Sequence, residues 1–232
     1  PPRSTLSSSS AASDVYKRQR WTGSAWETQI LESGNFYLPR PSSLAVDDLG
    51  YPHVGYTSGM YAHWTGVVWD TQKVVYGAVD AVMALDGFGK PHFIYYDDDE
   101  GHLKYAYRSG NAWVTQFVDS MSEVEERHHS LAVDAFGRPA VSYYDANQGQ
   151  LKYARRIGGI WHIQSVKDSQ DMGQYTSLAL DASGAPHISF YDVMGRDLRY
   201  AYAAGTSPPL PELDKQATPT TGMCGNDTLT YT

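Results

Sequence analysis

One segment is written four times into this chain, and that recurrence restricts the fold more than any single residue does. The clearest copies are SLAVDAFGRPAVSYYDANQGQLKYA from Ser130 and SLALDASGAPHISFYDVMGRDLRYA from Ser177. VMALDGFGKPHFIYYDDDEGHLKYA from Val82 and a shorter SLAVDDLGYPHVGYTSGMYA from Ser43 complete the set. The aspartates that close the first segment, Asp47, Asp86, Asp134 and Asp181, stand 39, 48 and 47 residues apart. A period of that size belongs to stacked structural units, each unable to bury its apolar face alone.

Within a unit the punctuation separates strands. SLALD alternates small and large side chains, and DASG then turns, with Asp bonding backbone amides and Gly free to take positive φ. PHISFYD is a second strand whose Pro stands first, where a missing N–H is tolerated. A Gly-containing turn leads to DLRYAYA, and a segment opened by tryptophan (Trp26, Trp69, Trp113, Trp161) supplies a fourth strand. Four antiparallel strands in roughly 45 residues make a propeller blade. The expected fold is all-β, a β-propeller of four-stranded antiparallel blades with four units visible, read as a fragment of a larger propeller. The Ser and Ala of SLAVD suit an innermost strand crowded against the axis. The Tyr-rich and Trp-bearing strands suit the wider rim.

The paired aliphatics, Asp, Gly and closing Asp of SLAVDxxGxPxVSYYD resemble the xIAVDxxGxxYVxD core of NHL-type repeats over about 185 residues. The likeness is loose, because here Pro enters the turn and Tyr-Tyr the second strand. It implies a propeller, and it implies a metal-assisted, gluconolactonase-like hydrolase or lyase as one reading of function. The S-x-D-x-G-x-x-W order of sialidase Asp-boxes is not matched, since Pro follows the Gly and no Trp closes the turn.

Residues 1–19 (PPRSTLSSSSAASDVYKRQ) resemble translated sequencing-adapter read-through of fragmentary metagenomic assemblies, and are expected to be an artefact and disordered. On that reading the true N-terminus and any export signal are missing. Blades are expected within 20–205, at about 20–66, 67–110, 111–158 and 159–205. A Pro/Thr-rich linker follows over 206–221, and 222–232 open a further segment, so further domains are expected beyond it. The WTGSAWETQIL strand near the start and the last unit, which lacks a tryptophan strand, could complete one blade together and close a four-bladed ring.

Composition narrows the partners. A net charge of −8 with scattered Lys and Arg argues against nucleic acid. No apolar run reaches the roughly 18 residues of a membrane span. A single cysteine, Cys224, excludes an internal disulfide framework. Eighteen Tyr and six Trp, with regular Gly and Pro, fit an extracellular or cell-surface β protein.

In this phasing the loops joining one unit to the next share a face with the turns between second and third strands. That face gathers 31–41, 119–129 and 167–175 with the turns at 97–102, 145–149 and 192–196. Length variation on a rigid scaffold is where sites are placed. Its candidate ligand-binding residues are Tyr96, Asp97, Tyr144, Asp145, Tyr191, Asp192 and His129. A tyrosine ring stacks on a sugar while a carboxylate accepts from hydroxyls. The plain alternative is that each Asp caps its own turn and the Tyr pairs fill the inter-blade core. Asp97, Asp98, Asp99 and Glu100 form a carboxylate cluster that raises calcium, although the spaced D-x-D-x-D-G ligands of a calcium loop are missing. No other cofactor is expected. His53, His92 and His187 share one repeat position, with Ala140 in the fourth, and read as structural hydrogen-bonders. His128 and His129 lie in an acidic loop and are better metal or acid–base candidates.

No G-x-S-x-G, H-E-x-x-H, acid/base pair or Arg triad marks a catalytic centre. The expected function is therefore a non-enzymatic module of a secreted or surface-displayed bacterial protein that binds glycan or protein. A metal-assisted hydrolase or lyase and a purely structural spacer are the alternatives. Exposed tyrosines would argue against the spacer, and complete burial would favour it.

Overall fold

The computed structural model describes residues 15–33, 42–56, 59–121, 128–166, 172–203 and 215–217. They are strands and turns throughout, with no helix among them. A hairpin of β1 (Val15–Trp21) and β2 (Trp26–Ser33) comes first. Blade I holds β3 (Ser43–Val46), β4 (Pro52–Tyr56), β5 (Met60–Trp64) and β6 (Trp69–Lys73). Blade II holds β7 (Ala78–Leu85), β8 (Pro91–Asp97), β9 (His102–Ser109) and β10 (Ala112–Ser120). Blade III holds β11 (His129–Val133), β12 (Pro139–Asp145), β13 (Gln150–Ile157) and β14 (Ile160–Ser165). Blade IV holds β15 (Met172–Leu180), β16 (Pro186–Asp192), β17 (Asp197–Tyr202) and β18 (Lys215–Ala217). In every blade the strands pair antiparallel in chain order.

Three expectations about boundaries change. The strands carrying Trp69, Trp113 and Trp161 each close the sheet opened by the first strand before them, so the sheets run 43–73, 78–120, 129–165 and, closed by β18, 172–217 instead of starting at the tryptophans. The fourth strand of blade IV is β18, drawn from the stretch expected to be linker, and β2 pairs with β1 instead. Val15–Gln19, expected to be disordered artefact, lie in β1. The rest of 1–14, of the linker and of 222–232 lies outside the described residues.

Successive sheets meet through their first strands, β3 against β7, β7 against β11 and β11 against β15. These strands form the inner wall, as their small side chains predict. Serine hydroxyls tie them laterally: the Met83 amide donates to Ser43 Oγ at 2.8 Å and the Leu178 amide to Ser130 Oγ at 3.0 Å.

The second strands lie between neighbouring blades. β8 and β12 are buried at every residue, and each Pro is the first residue of its strand. Alternation divides β8 between two cores, with Phe93 and Tyr95 facing blade I and Ile94 and Tyr96 facing blade III. A Tyr-Tyr pair thus supplies one ring to each interface, and each fully buried side chain of this size is worth about 2 kcal/mol. β16 instead alternates buried and half-buried, because only blade III among the described sheets covers it. Further out, Trp113 of blade II stands edge-on to Tyr61 of blade I, and Trp161 of blade III edge-on to Tyr105 of blade II.

Candidate functional site

The four repeated aspartates at the ends of the inner strands cap their own turns. Asp47 Oδ1 accepts from the amides of Leu49 and Tyr51, and Asp86, Asp134 and Asp181 bind the equivalent pairs. Their second oxygens face the histidine position. His53 Nε2–H donates to Asp47 Oδ2 at 3.4 Å while its Nδ1 accepts from the Tyr61 hydroxyl at 2.6 Å. The same chain links Asp86, His92 and Tyr105, and His187 with Tyr200 stands 3.7 Å from Asp181. Burial holds the His53 and His92 rings below the usual histidine value, with Asp47 and Asp86 opposing it, so both are neutral. Burial likewise raises the Tyr61 and Tyr105 phenols, which stay protonated donors. Such a chain resembles a catalytic relay, but its repetition in three blades and its burial between blades at His53 and His92 make it structural, as expected for these histidines.

The opposite face carries the candidate residues. Backbone bonds join its loops to its turns: Val74 to Gly59, Asp98 to Gly77, Met121 to Gly101 and Met172 to Gly149. The structure places most of the sequence-derived candidates inside this framework. Tyr96 is fully buried, Tyr144 is buried, and Tyr191 is half-buried on the uncovered side of β16. Asp97, Asp145 and Asp192 are buried as well. Each caps its turn, through the amides of Asp99, Asn147 and Gly195 among others, and each is matched by a cation. Lys104 lies 2.9 Å from Asp97, Lys152 2.6 Å from Asp145 and Arg199 2.7 Å from Asp192. Lys152 also reaches Asp119 of blade II at 3.0 Å, and the Tyr143 hydroxyl donates to the same carboxylate at 2.7 Å. The carboxylates of Asp97, Asp145 and Asp192 are thus engaged by turn amides and by these cations.

The carboxylate cluster is divided in the same way. Asp97 and Glu100 converge on Lys104, with Glu100 at 2.8 Å. Asp98 and Asp99 are exposed, with the Asp99 carboxylate lying against Gly77. Among the described residues no group of three or more His, Cys, Asp or Glu side chains is placed to hold a metal ion. Parts of the loops at 31–41, 119–129 and 167–175 lie outside the described residues.

Two aromatic rings on this face were not singled out by the sequence. Tyr76, in the loop between blades I and II, is 85% exposed, with Lys73 Nζ 5.4 Å from its ring centre. Tyr175, near the start of β15, is 64% exposed and lies 4.2 Å, centre to centre, from His128. Among the tyrosines from Tyr51 onward in the described residues, these two alone are exposed. Their signal was faint: each breaks the repeat, where a copied residue would have drawn notice. His129, a sequence candidate, is buried and donates from Nε2 to the Asp80 carbonyl at 2.5 Å, latching blade III to blade II.

Stacked four-stranded antiparallel sheets with a first-strand inner wall define an all-β protein of β-propeller type. No family model and no curated protein sequence matches the chain, so the NHL-type likeness stays at the quoted motif. Solved structures are similar in fold. Aleuria aurantia lectin, in complex with Fucα1-6GlcNAc, aligns with TM-score 0.55 and 14% identity over 87% of this chain and 74% of that one. AofleA from Arthrobotrys oligospora aligns with TM-score 0.54 and 8% identity over 82% of this chain and 65% of that one. An ulvan lyase bound to -[GlcA(1-4)Rha3S]- aligns with TM-score 0.51 and 10% identity over 83% and 66%. The chain thus spans about two thirds to three quarters of the proteins it matches. No helix of the described residues is long and apolar enough to cross a membrane.

Proposed function

We propose that this chain is a non-enzymatic recognition module, acting at an extracellular or cell-surface location, that binds glycan through the face carrying Tyr76 and Tyr175. One observation carries the reading. The tyrosines of the repeat are buried or half-buried, whereas Tyr76 and Tyr175, both exposed, stand on this loop face. An exposed ring beside carboxylates is the arrangement that stacks on sugars. It also weighs against a spacer that binds nothing. Among the similar folds, a lectin and an ulvan lyase are proteins solved with saccharides. A protein ligand would use the same face, and the metal-assisted hydrolase remains the enzymatic alternative.

A glycan-array screen of the full chain, with and without calcium, tests the proposal. Saturable binding reduced by Tyr76→Ala or Tyr175→Asn, and kept by Phe88→Ser on the opposite face, supports it. A folded chain that binds no glycan in either condition overturns it, and calcium-dependent turnover of a bound glycan would move the weight to the enzyme.

A further inference from the structure

Resting on the reading of this face as a glycan site, we infer that its ligand position is the inner rim framed by Asp80, His128 and Tyr175, and that it takes an uncharged pyranose. These three residues occupy one repeat position, two places before the segment that reads VMALD, SLAVD or SLALD in blades II, III and IV. The inner strands otherwise repeat closely. Here three successive blades present a carboxylate, an imidazole and a phenol.

The backbone singles out the same position. β7 and β15 each carry a register shift there, between Val79 and Val82 and between Gln174 and Ser177. Asp80 and Tyr175 both adopt φ +52°. Asp tolerates the left-handed region, but for a residue as bulky as Tyr it is strained and persists only where the surroundings impose it. They do so on both sides. His129 bonds the Asp80 carbonyl, and Thr176 Oγ1 meets Ser142 Oγ of blade III at 2.7 Å. Bulges of this kind re-aim side chains beside binding sites.

The chemistry of the rim fits a neutral sugar. Tyr175 offers an open ring to the C–H face of a pyranose, with the His128 ring against it. The Asp80 carboxylate supplies an acceptor for hydroxyls, while the His128 ring, its Nε2 buried, backs the phenol. The exposed Asp98, Asp99 and Glu100 lie on the turn whose Asp98 amide bonds Gly77, three residues from Asp80, and the chain carries −8 overall. Uronic acids and sulfated or sialylated sugars meet repulsion there.

Saturation-transfer NMR on the full chain decides the matter, with the methyl glycosides of fucose, galactose and glucose, N-acetylglucosamine, glucuronate and N-acetylneuraminate as probes. At least one neutral probe should bind saturably. Tyr175→Asn, which keeps a residue tolerant of this backbone, should weaken it at least about tenfold, since losing a stacked ring removes an interaction of that order. Asp80→Asn should weaken it by about tenfold as well. Neutral-probe binding that survives both variants but is lost in Tyr76→Ala overturns this rim while leaving the broader face intact. Preference for glucuronate or N-acetylneuraminate overturns the ligand class, and binding by none of the probes overturns the site.

Discussion

Arg155 reaches to within 3.3 Å of Asp134 across the small side chain of Ala140, its cross-strand neighbour, and so occupies the place that histidine holds in the other three blades. The equivalent of Arg155 is His63, Tyr107 or Tyr202, each paired opposite a histidine. The loss of one side chain on β12 is thus made good by a longer one on β13. Burial acts to raise the Asp134 carboxyl, but the amides of Arg138 and Phe136 and the Arg138 side chain outweigh it and hold the group ionised.

The exchange makes a testable pair. Arg155→Ala should destabilise the protein by about 2–3 kcal/mol, somewhat less than a fully broken buried pair because Arg138 still bonds Asp134 at 2.6 Å. Adding Ala140→His to Arg155→Tyr rebuilds the arrangement of blades II and IV and should recover at least half of that loss. Urea denaturation midpoints of the three variants check it. A double variant no better than Arg155→Ala would mean that the histidine chain does not transfer between blades.

This relationship also marks where the sequence stops being readable. The turn caps at Asp47, Asp86, Asp134 and Asp181 and the crowding of SLAVD could be seen in advance, because both follow from local spacing. Arg155 could not be matched to Ala140 without the strand register. Tyr96 and Tyr144 sit in strands covered on both faces, which erases the alternation that would have marked them as buried. Asp97, Asp145 and Asp192 open polar turns, and their cations are seven residues further on, opposite them only once the hairpin has formed. Asp80 and Tyr175 owe their positions to bulges, which leave no compositional mark.

Stability should fall on acidification in two stages. His53 and His92 titrate in the folded protein below their ordinary value of 6.5, so the unfolded chain takes up protons first and stability declines as pH falls below about 6.5. Burial works to raise the carboxyls of Asp47 and Asp97, but amide, His53 and Lys104 partners outweigh it and hold them below 3.8. Their contribution is present above that value and is lost as pH falls through the lower folded values. Urea midpoints should therefore be level between pH 8 and 7, decline from 6.5, and fall more steeply below 4. Replacing both histidines by glutamine should remove the first stage and leave the second. A midpoint that rises between pH 6.5 and 5 would show the rings charged in the native state.

Arg196 adopts φ +57° at the turn position where blades II and III place Gly101 and Gly149. An L-residue pays about 1–2 kcal/mol for that conformation, and glycine returns part of it as lost chain entropy. Arg196→Gly should therefore raise stability by about 0.5–1 kcal/mol, read as a higher thermal midpoint. A drop of similar size would mean that the arginine side chain makes a contact worth more than its strain.

Gly173 ties the stability of blade IV to the rim where Tyr175 stands. At φ +114°, a Cβ on this residue would lie 2.7 Å from Leu151 Cβ and 2.8 and 3.0 Å from the Leu151 backbone, which belongs to the hydrogen-bonded frame of β13. Neither backbone can move without opening the contact between β13 and β15. Gly173→Ala should cost about 3 kcal/mol, the sum of left-handed strain and overpacking. Gly110→Ala separates the two, because Gly110 is also left-handed, at φ +60°, but has nothing within 4 Å of its Cβ, so it should cost only about 1 kcal/mol. Because Tyr175 follows Gly173 by two residues on the same irregular stretch, the first variant should also weaken glycan binding at temperatures where the protein is still folded, and the second should not. Equal losses of stability in the two variants would show that the approach of β15 to β13 yields easily, and that the rim is held by Thr176 and His129 instead.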